Sequence, residues 1–413
     1  MLRPRIMNPV GELTSARKNA TVEVVADGVA HFHGFCNVGL VWGGGAALVV
    51  DTSNPILGPR AAAALRDLGG APVAYIVYTH GHVDHVGGAP AFLSLATTRG
   101  DPRPVVWAHE LVPERFRRYR ATWKWNNEVN RRQFQLPAGA DAFPKDFVAP
   151  DQTYRDAAWL RLGSEPVELH HARGETDDAT WVWLPQRATA LVGDLSVQSL
   201  PNTGNPNKPQ RYTREWAETL EAIAAHRPRI LIPGHGAPLR GDLALEVLLE
   251  TARALRFLHD AVLERLNAGL WPDEIVDAGI ALPPDLAAKG FLQPIYGCTE
   301  FVVRDVLRAY AGWWGGDPAE LMPAGRAAVA RDVVEVAGRE KLIEKVRALT
   351  DRSELRRALH LAMLLARAEP ADAAMQELVA QVCDGLAERE RSFIVRNFYR
   401  TAAAQARAAA RAA

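Results

Sequence analysis

Thr79-His80-Gly81-His82-Val83-Asp84-His85-Val86-Gly87-Gly88 places three histidines and an aspartate between positions 80 and 85. Before it runs Val73-Ala74-Tyr75-Ile76-Val77-Tyr78, an apolar, β-branched stretch that reads as a strand, and the quoted segment closes on a Gly-Gly turn. Side chains that fan out from a loop at a strand's end can converge on cations. Imidazoles at i and i+2 reach one ion, while the carboxylate and imidazole at i+4 and i+5 reach a second about 3.5–4 Å away, which clamps the attacking and leaving oxygens of a displacement. Surface histidines clustered by chance would not sit directly behind an apolar strand.

Working outward, the same logic recurs. Residues 21–25, 39–42 and 46–52 read as short strands broken by glycine, 61–68 as a helix, and 104–109 as a further strand. Strands at 165–171 and 180–184 flank the loop Ala172-Arg173-Gly174-Glu175-Thr176-Asp177-Asp178. The strand at 188–192 ends in Gly193-Asp194, and the last one, 230–232, ends in Pro233-Gly234-His235-Gly236. Apolar strands thus end in ligand-type residues, so His80, His82, Asp84, His85, Glu175, Asp194 and His235 are expected at one edge of an α/β sandwich spanning 1–242. From 243 to 413 the pattern is all-α: Ala and Leu spaced by three and four. Helices are expected at 243–268, 272–278, 299–313, 323–337, 339–349, 353–367, 371–386 and 389–411, with the Ala/Arg tail after Thr401 frayed.

At 413 residues the chain exceeds one ordinary core. Lysine plus arginine (48) balances aspartate plus glutamate (48), so no global field favours nucleic acid or an anionic membrane. Cys36, Cys298 and Cys383 are far apart and odd in number, which argues for buried thiols in a reducing compartment. No signal-peptide core and no run of 18 apolar residues occurs, so a soluble cytoplasmic protein is expected. Residues 114–135 interleave cations from Arg115 to Arg132 with Tyr119, Trp123, Trp125 and Phe134. That stretch reads equally as an anion site to which Asn126 and Asn127 add amides or as a solvated amphipathic helix. Lys208, Arg211 and Arg214, in the Pro-rich loop that follows Asp194, are candidate clamps for an anionic group.

The pattern H-x-H-x-D-H with Gly-Gly resembles the signature of the metallo-β-lactamase superfamily, which implies an αββα sandwich. Most of that superfamily carries a histidine in the loop where this chain has Glu175; we rank Glu175 first as the ligand, then Asp177 or Asp178, then His171, since His170 and His171 lie within the strand. Asp194 is then the bridge between the metals and His235 completes the second. A glutamate in this loop is similar to alkylsulfatases. Leu258-His259-Asp260, Leu266-Asn267-Ala268-Gly269, Leu282-Pro283-Pro284, Tyr296-Gly297 and above all Tyr310-Ala311-Gly312-Trp313-Trp314-Gly315-Gly316-Asp317-Pro318-Ala319-Glu320-Leu321 resemble the helical dimerisation region of that family. The resemblance implies two zinc ions per chain and sulfate esters cleaved by a metal-activated water. Catalytic work would fall to Asp84 and Asp194, with a Tyr296 hydroxyl on the substrate anion and a homodimer. The chain departs from the family at Gly81, where a serine is usual, and at Phe301, where a histidine is; nothing in it resembles the sterol-carrier-like C-terminal domain. Carboxylic ester, lactone or thioester hydrolysis is the alternative reading; iron-based redox chemistry and a non-catalytic scaffold are more distant ones.

Overall fold

The computed structural model describes residues 21–412 except 138 and 142; the first twenty residues of the expected 1–242 unit lie outside it. Two mixed sheets face each other. The first has seven strands in chain order: β1 (Thr21–Ala26), β2 (Val29–His33), β3 (Val38–Gly43), β4 (Ala46–Val50), β5 (Val73–Val77), β6 (Val105–His109) and β7 (Gln152–Tyr154). It is antiparallel from β1 to β4 and parallel from β4 to β7. The second runs β13-β12-β11-β10-β9-β8, with β8 (Ala157–Leu162), β9 (Glu165–Ala172), β10 (Ala179–Leu184), β11 (Thr189–Gly193), β12 (Ile230–Pro233) and β13 (Leu239–Arg240).

Alternating apolar residues dictate the layers. Leu48, Val50 and Val77 of the first sheet meet Leu160, Val167, Leu169, Val182 and Leu191 of the second in a core between the sheets. Phe92 and Phe116 from helices Ala89–Arg99 and Val112–Ala121 cover the first sheet's outer face. Helix Thr213–Ala225 and the first half of helix Asp242–Asn267 cover the outer face of the second through Trp216, Leu220, Val247 and Leu255. Burial on this scale, at roughly 25 cal/mol per Å² of apolar surface, outweighs the modest strand propensity of any one segment.

Several expectations need correction. Strand β2 was not expected, because His31 and His33 interrupt its alternation, yet His31 is buried in it. β7 and β8 were likewise not expected, and β12 is followed by the short β13 rather than ending the sheet. Residues 114–135 form two helices, Val112–Ala121 and Trp123–Phe134, with the break at Thr122. The tail after Thr401 is helical to Ala412 and is packed rather than frayed, with Ala403 and Ala406 buried. Helix Asp242–Asn267 serves two cores: its second half, through Leu258 and Val262, packs with Ile275, Val302 and Val306 of the helical region. A separate helical core joins the helices Arg339–Asp351, Leu355–Ala368 and Ala373–Arg389.

Candidate active site

The loop after β5 does not stay irregular. His82 precedes a single helical turn, Val83–Val86, so Asp84 and His85 are its second and third residues while His80 and His82 lie on the approach. Asp51, just beyond β4, holds this turn from behind: it accepts the Thr79 N–H at 2.7 Å and its hydroxyl at 2.8 Å, and lies 2.7 Å from His85 Nδ1. Asp51 adopts φ 62°, a left-handed backbone costly for a non-glycine residue, which such a set of contacts can hold in place.

The ligand-type side chains gather in two groups. One ligand atom each from His80, His82, Glu175 and Asp194 lies within 4.8 Å of the others, as do atoms from Asp84, His85 and His235. Glu175 Oε2 is 3.3 Å from His82 Nδ1 and 3.6 Å from His80 Nε2. Asp194 stands between the groups. Its Oδ2 is 3.9 Å from His80 Nε2, and its Oδ1 is 3.2 Å from His85 Nε2 and 3.4 Å from His235 Nε2. Asp84 Oδ2 reaches His235 Nε2 at 3.5 Å and His85 Nε2 at 3.8 Å. Gly234 is needed beside it, because a Cβ there would stand 2.0 Å from Asp194 Oδ1.

The imidazoles are oriented for cation binding. Three turn their outer nitrogen to the protein: His235 Nδ1 faces the Phe35 carbonyl at 2.6 Å, His80 Nδ1 the Thr79 hydroxyl at 3.1 Å, and His85 Nδ1 Asp51. Their Nε2 atoms point inward, the arrangement that fixes the tautomer of a metal-ligating histidine. His85 Nε2, Glu175 Oε2 and Asp194 Oδ1 are buried without a hydrogen-bond partner. Buried polar atoms left unpaired are costly, so a cation fits this set. The electrostatics agree. Burial works against a charged His235, but Asp194 and Asp84 outweigh it and push the ring well above the ordinary imidazole range. Burial likewise opposes a charged Asp84, and His85 and His235 bring it down to about 2.

Other sequence candidates divide sharply. Arg211 is at the site, donating to Glu175 and, at 2.6 Å, to the Asn202 carbonyl. Tyr296 is close: burial first, then the Glu175, Asp84 and Asp194 charges, push its hydroxyl up. Its oxygen accepts from Gln133 Nε2 at 3.1 Å. Burial and then Arg211 bring the Lys208 ammonium down to about 8, against the pull of Glu175 and Asp84. Arg214 is not at the site; it begins helix Thr213–Ala225 and pairs with Glu218, one turn on, at the surface. Asn127 is also spoken for: its amide donates to the Trp123 carbonyl and accepts the Phe143 N–H. Asp177 and Asp178 pair with buried Arg115, and His171 stacks on His109 at 3.8 Å, so these alternatives to Glu175 face elsewhere. His170 stacks on Trp181.

Sequence reasoning missed three residues here. Asp51 was recoverable, since it too ends an apolar strand. Asn202 carried no signal, yet it is 2% exposed with both amide atoms unpartnered. Gln133 joins helix Trp123–Phe134 to Tyr296, to the Asn205 amide at 3.3 Å and, through its backbone carbonyl, to Asn397 at 2.8 Å.

A two-sheet sandwich flanked by helices, with paired histidine–carboxylate groups at one edge, defines a metallohydrolase architecture. Residues 32–235 match the family profile described as metallo-beta-lactamase superfamily, and 271–409 match the one described as alkyl sulfatase dimerisation. The chain is 28% identical over 318 residues to a linear primary-alkylsulfatase of Pseudomonas sp., covering 72% of this chain and 60% of the relative. It is 24% identical over 365 residues to the alkyl/aryl-sulfatase BDS1 of Saccharomyces cerevisiae, covering 81% and 55%. The solved structure of the inverting sec-alkylsulfatase Pisa1 from Pseudomonas sp. superposes with a TM-score of 0.83 at 23% identity, over 94% of this chain and 66% of that one. The chain therefore belongs to the metallo-β-lactamase superfamily, as an alkylsulfatase-like member, and spans about half to three-fifths of the length of the curated relatives it matches.

Proposed function

We propose that the chain is a metal-dependent sulfuric ester hydrolase carrying two zinc ions, one held by His80, His82 and Glu175, the other by Asp84, His85 and His235, with Asp194 shared. The observation that carries this reading is the convergence of buried, unpartnered ligand atoms of His85, Glu175 and Asp194 beside the Arg211 guanidinium. When bound, such ions supply Lewis acidity and a water activated near neutral pH.

The chain's own residues bind and orient the anion. Arg211 is fixed by Glu175 and Asn202 through one nitrogen, and its remaining N–H groups make no hydrogen bond among the described residues, which leaves them for the oxygens of a sulfate. Tyr296 accepts from Gln133, which leaves its own proton to donate, and burial keeps that proton in place at working pH. The unpaired Asn202 amide and the Lys208 ammonium add two further donors. That the relatives are named alkylsulfatases supports reading the substrate as a sulfate ester. The match of 271–409 to a dimerisation region supports a homodimer built by the helical unit that we place at 243–413.

Metal content should be measured on one preparation that is also assayed on an alkyl sulfate, a phosphate monoester and a lactone. Zinc near two per chain with turnover of the sulfate is expected. Turnover of the lactone or a thioester but not the sulfate would replace this reading with carboxylic ester hydrolysis, and iron in place of zinc would point to redox chemistry.

A further inference from the structure

Strand β9 alternates. Val167 and Leu169 enter the core between the sheets, while Glu168 and His170 project on the opposite face, where Trp181 and Trp183 of β10 pack below helix Thr213–Ala225. His226 caps the C-terminus of that helix and brings its ring over the same spot, 5.0 Å from the Trp181 ring and 5.3 Å from that of Trp183. One ligand atom each of Glu168, His170 and His226 lies within 4.8 Å of the other two. None of the three takes part in the site proposed above.

The details suit a cation. Glu168 Oε2 is already 2.9 Å from His170 Nε2. His226 Nδ1 sits 3.0 Å from the Ala222 carbonyl, an acceptor only, so Nδ1 carries the hydrogen and the Nε2 lone pair is left over. The His170 ring is stacked on Trp181 at 4.3 Å and 18°, which limits its rotation before any ligand arrives. Glu168 and His170 are half-buried and His226 is exposed, so an ion can reach the cluster from solvent.

We propose that Glu168, His170 and His226 form a separate surface site for a borderline divalent transition ion such as Zn²⁺ or Ni²⁺, with two imidazoles and one carboxylate as ligands and the remaining position open to water. The site would take up one metal ion per chain beyond those at the sheet edge, and it lies against two indoles that can report occupancy.

The test starts from full-length protein dialysed with its tightly held metal in place. Calorimetric titration with zinc chloride should show one further equivalent, and nickel chloride should quench part of the tryptophan fluorescence over the same range. His226→Gln and, independently, Glu168→Gln should weaken this uptake by about tenfold or more and reduce the quenching, with ester hydrolysis unchanged. An absent further equivalent, or uptake and quenching identical in wild type and both variants, overturns the proposal. Either result leaves the reading of the sheet edge standing, because the tightly held metal is counted before titration begins.

Discussion

The sheet edge and the helical region fail to satisfy themselves in opposite ways. At the edge, polar atoms are buried without a hydrogen-bond partner: His85 Nε2, Glu175 Oε2, Asp194 Oδ1 and the Asn202 amide. On the helical region apolar side chains are exposed without cover: Trp313 is 78% exposed, Met322 88% and Val336 90%. Unpaired buried polar groups cost roughly 1–3 kcal/mol each, and large exposed apolar surface is uncommon on a monomer. Each region therefore points to what would complete it, a charged ligand at the edge and a second protein surface at the helices.

The largest effect should come from emptying the edge. Asp194→Ala removes the one carboxylate shared by both groups, so both metals should weaken and turnover should fall by on the order of 4 kcal/mol of barrier, about a thousandfold. His82→Ala should empty mainly the group containing Glu175. Metal analysis of the two variants separates these outcomes, and a fully active, metal-loaded Asp194→Ala protein would mean that the edge needs no cation.

A smaller loss should follow from disturbing the support behind the ligands. Arg115 is buried between the two loops: its Nε donates to Asp178 Oδ2 at 2.7 Å, and that same oxygen accepts the Gly81 N–H at 3.1 Å. Glycine is required at 81 because a Cβ there would meet Arg115 Cδ at 2.8 Å and Asp178 Oδ2 at 3.0 Å. A serine side chain at 81 would crowd the same pair. Gly81→Ala should thus shift His80 and His82 apart and reduce zinc affinity by about tenfold to a hundredfold, read in competition with a chelator. Unchanged affinity would show that the latch only fills space.

For the helical region, wild-type protein should sediment at twice the 45.2 kDa chain mass. Charges introduced at Met322 and Val336 together should yield monomers without altering metal content. A wild-type monomer at all concentrations would instead mean that these apolar side chains are tolerated by solvent, and the comparison between the two regions would lose its second half.

How much of this could be read in advance follows from sequence distance. The grouping around the His80–His85 loop was legible because those side chains are neighbours, and the placement of Glu175, Asp194 and His235 beside them followed from one rule, that buried strands gather the side chains at their ends along one edge. Arg211 and Arg214 differ by three positions and looked alike. Arg214 lies inside the helix with Glu218 one turn away, which turns it outward, whereas Arg211 precedes the helix and turns in. Three of the cations of 114–135 proved local: Arg131 and Arg132 pair with Glu128, and Arg117 with Glu114. Arg115 could not be sorted from them, since its partners lie 62 and 63 residues further on.

The last prediction concerns the seam between the two regions and should leave turnover nearly untouched. Asp305, on helix Thr299–Tyr310, is 2% exposed against the loop that carries Asn202 and Arg211, with Thr203 Oγ1 at 3.3 Å. Burial drives its carboxyl up from the ordinary 3.8 to about 7, although Arg308, Arg211 and the Thr203 hydroxyl pull the other way. A native pKa above the unfolded one means that the folded state binds the proton more tightly, so the contribution of Asp305 to stability is greatest below pH 4 and declines as pH rises toward 7. Above that the charged carboxylate costs the native state up to about 4 kcal/mol. Asp305→Asn keeps the shape and the hydrogen bond to Thr203 but never ionises. Its thermal midpoint should exceed that of wild type by several degrees at pH 8 and match it near pH 4. A variant less stable than wild type at pH 8 would show that Arg308, 3.6 Å away, already compensates the charge and that the carboxylate holds the seam together.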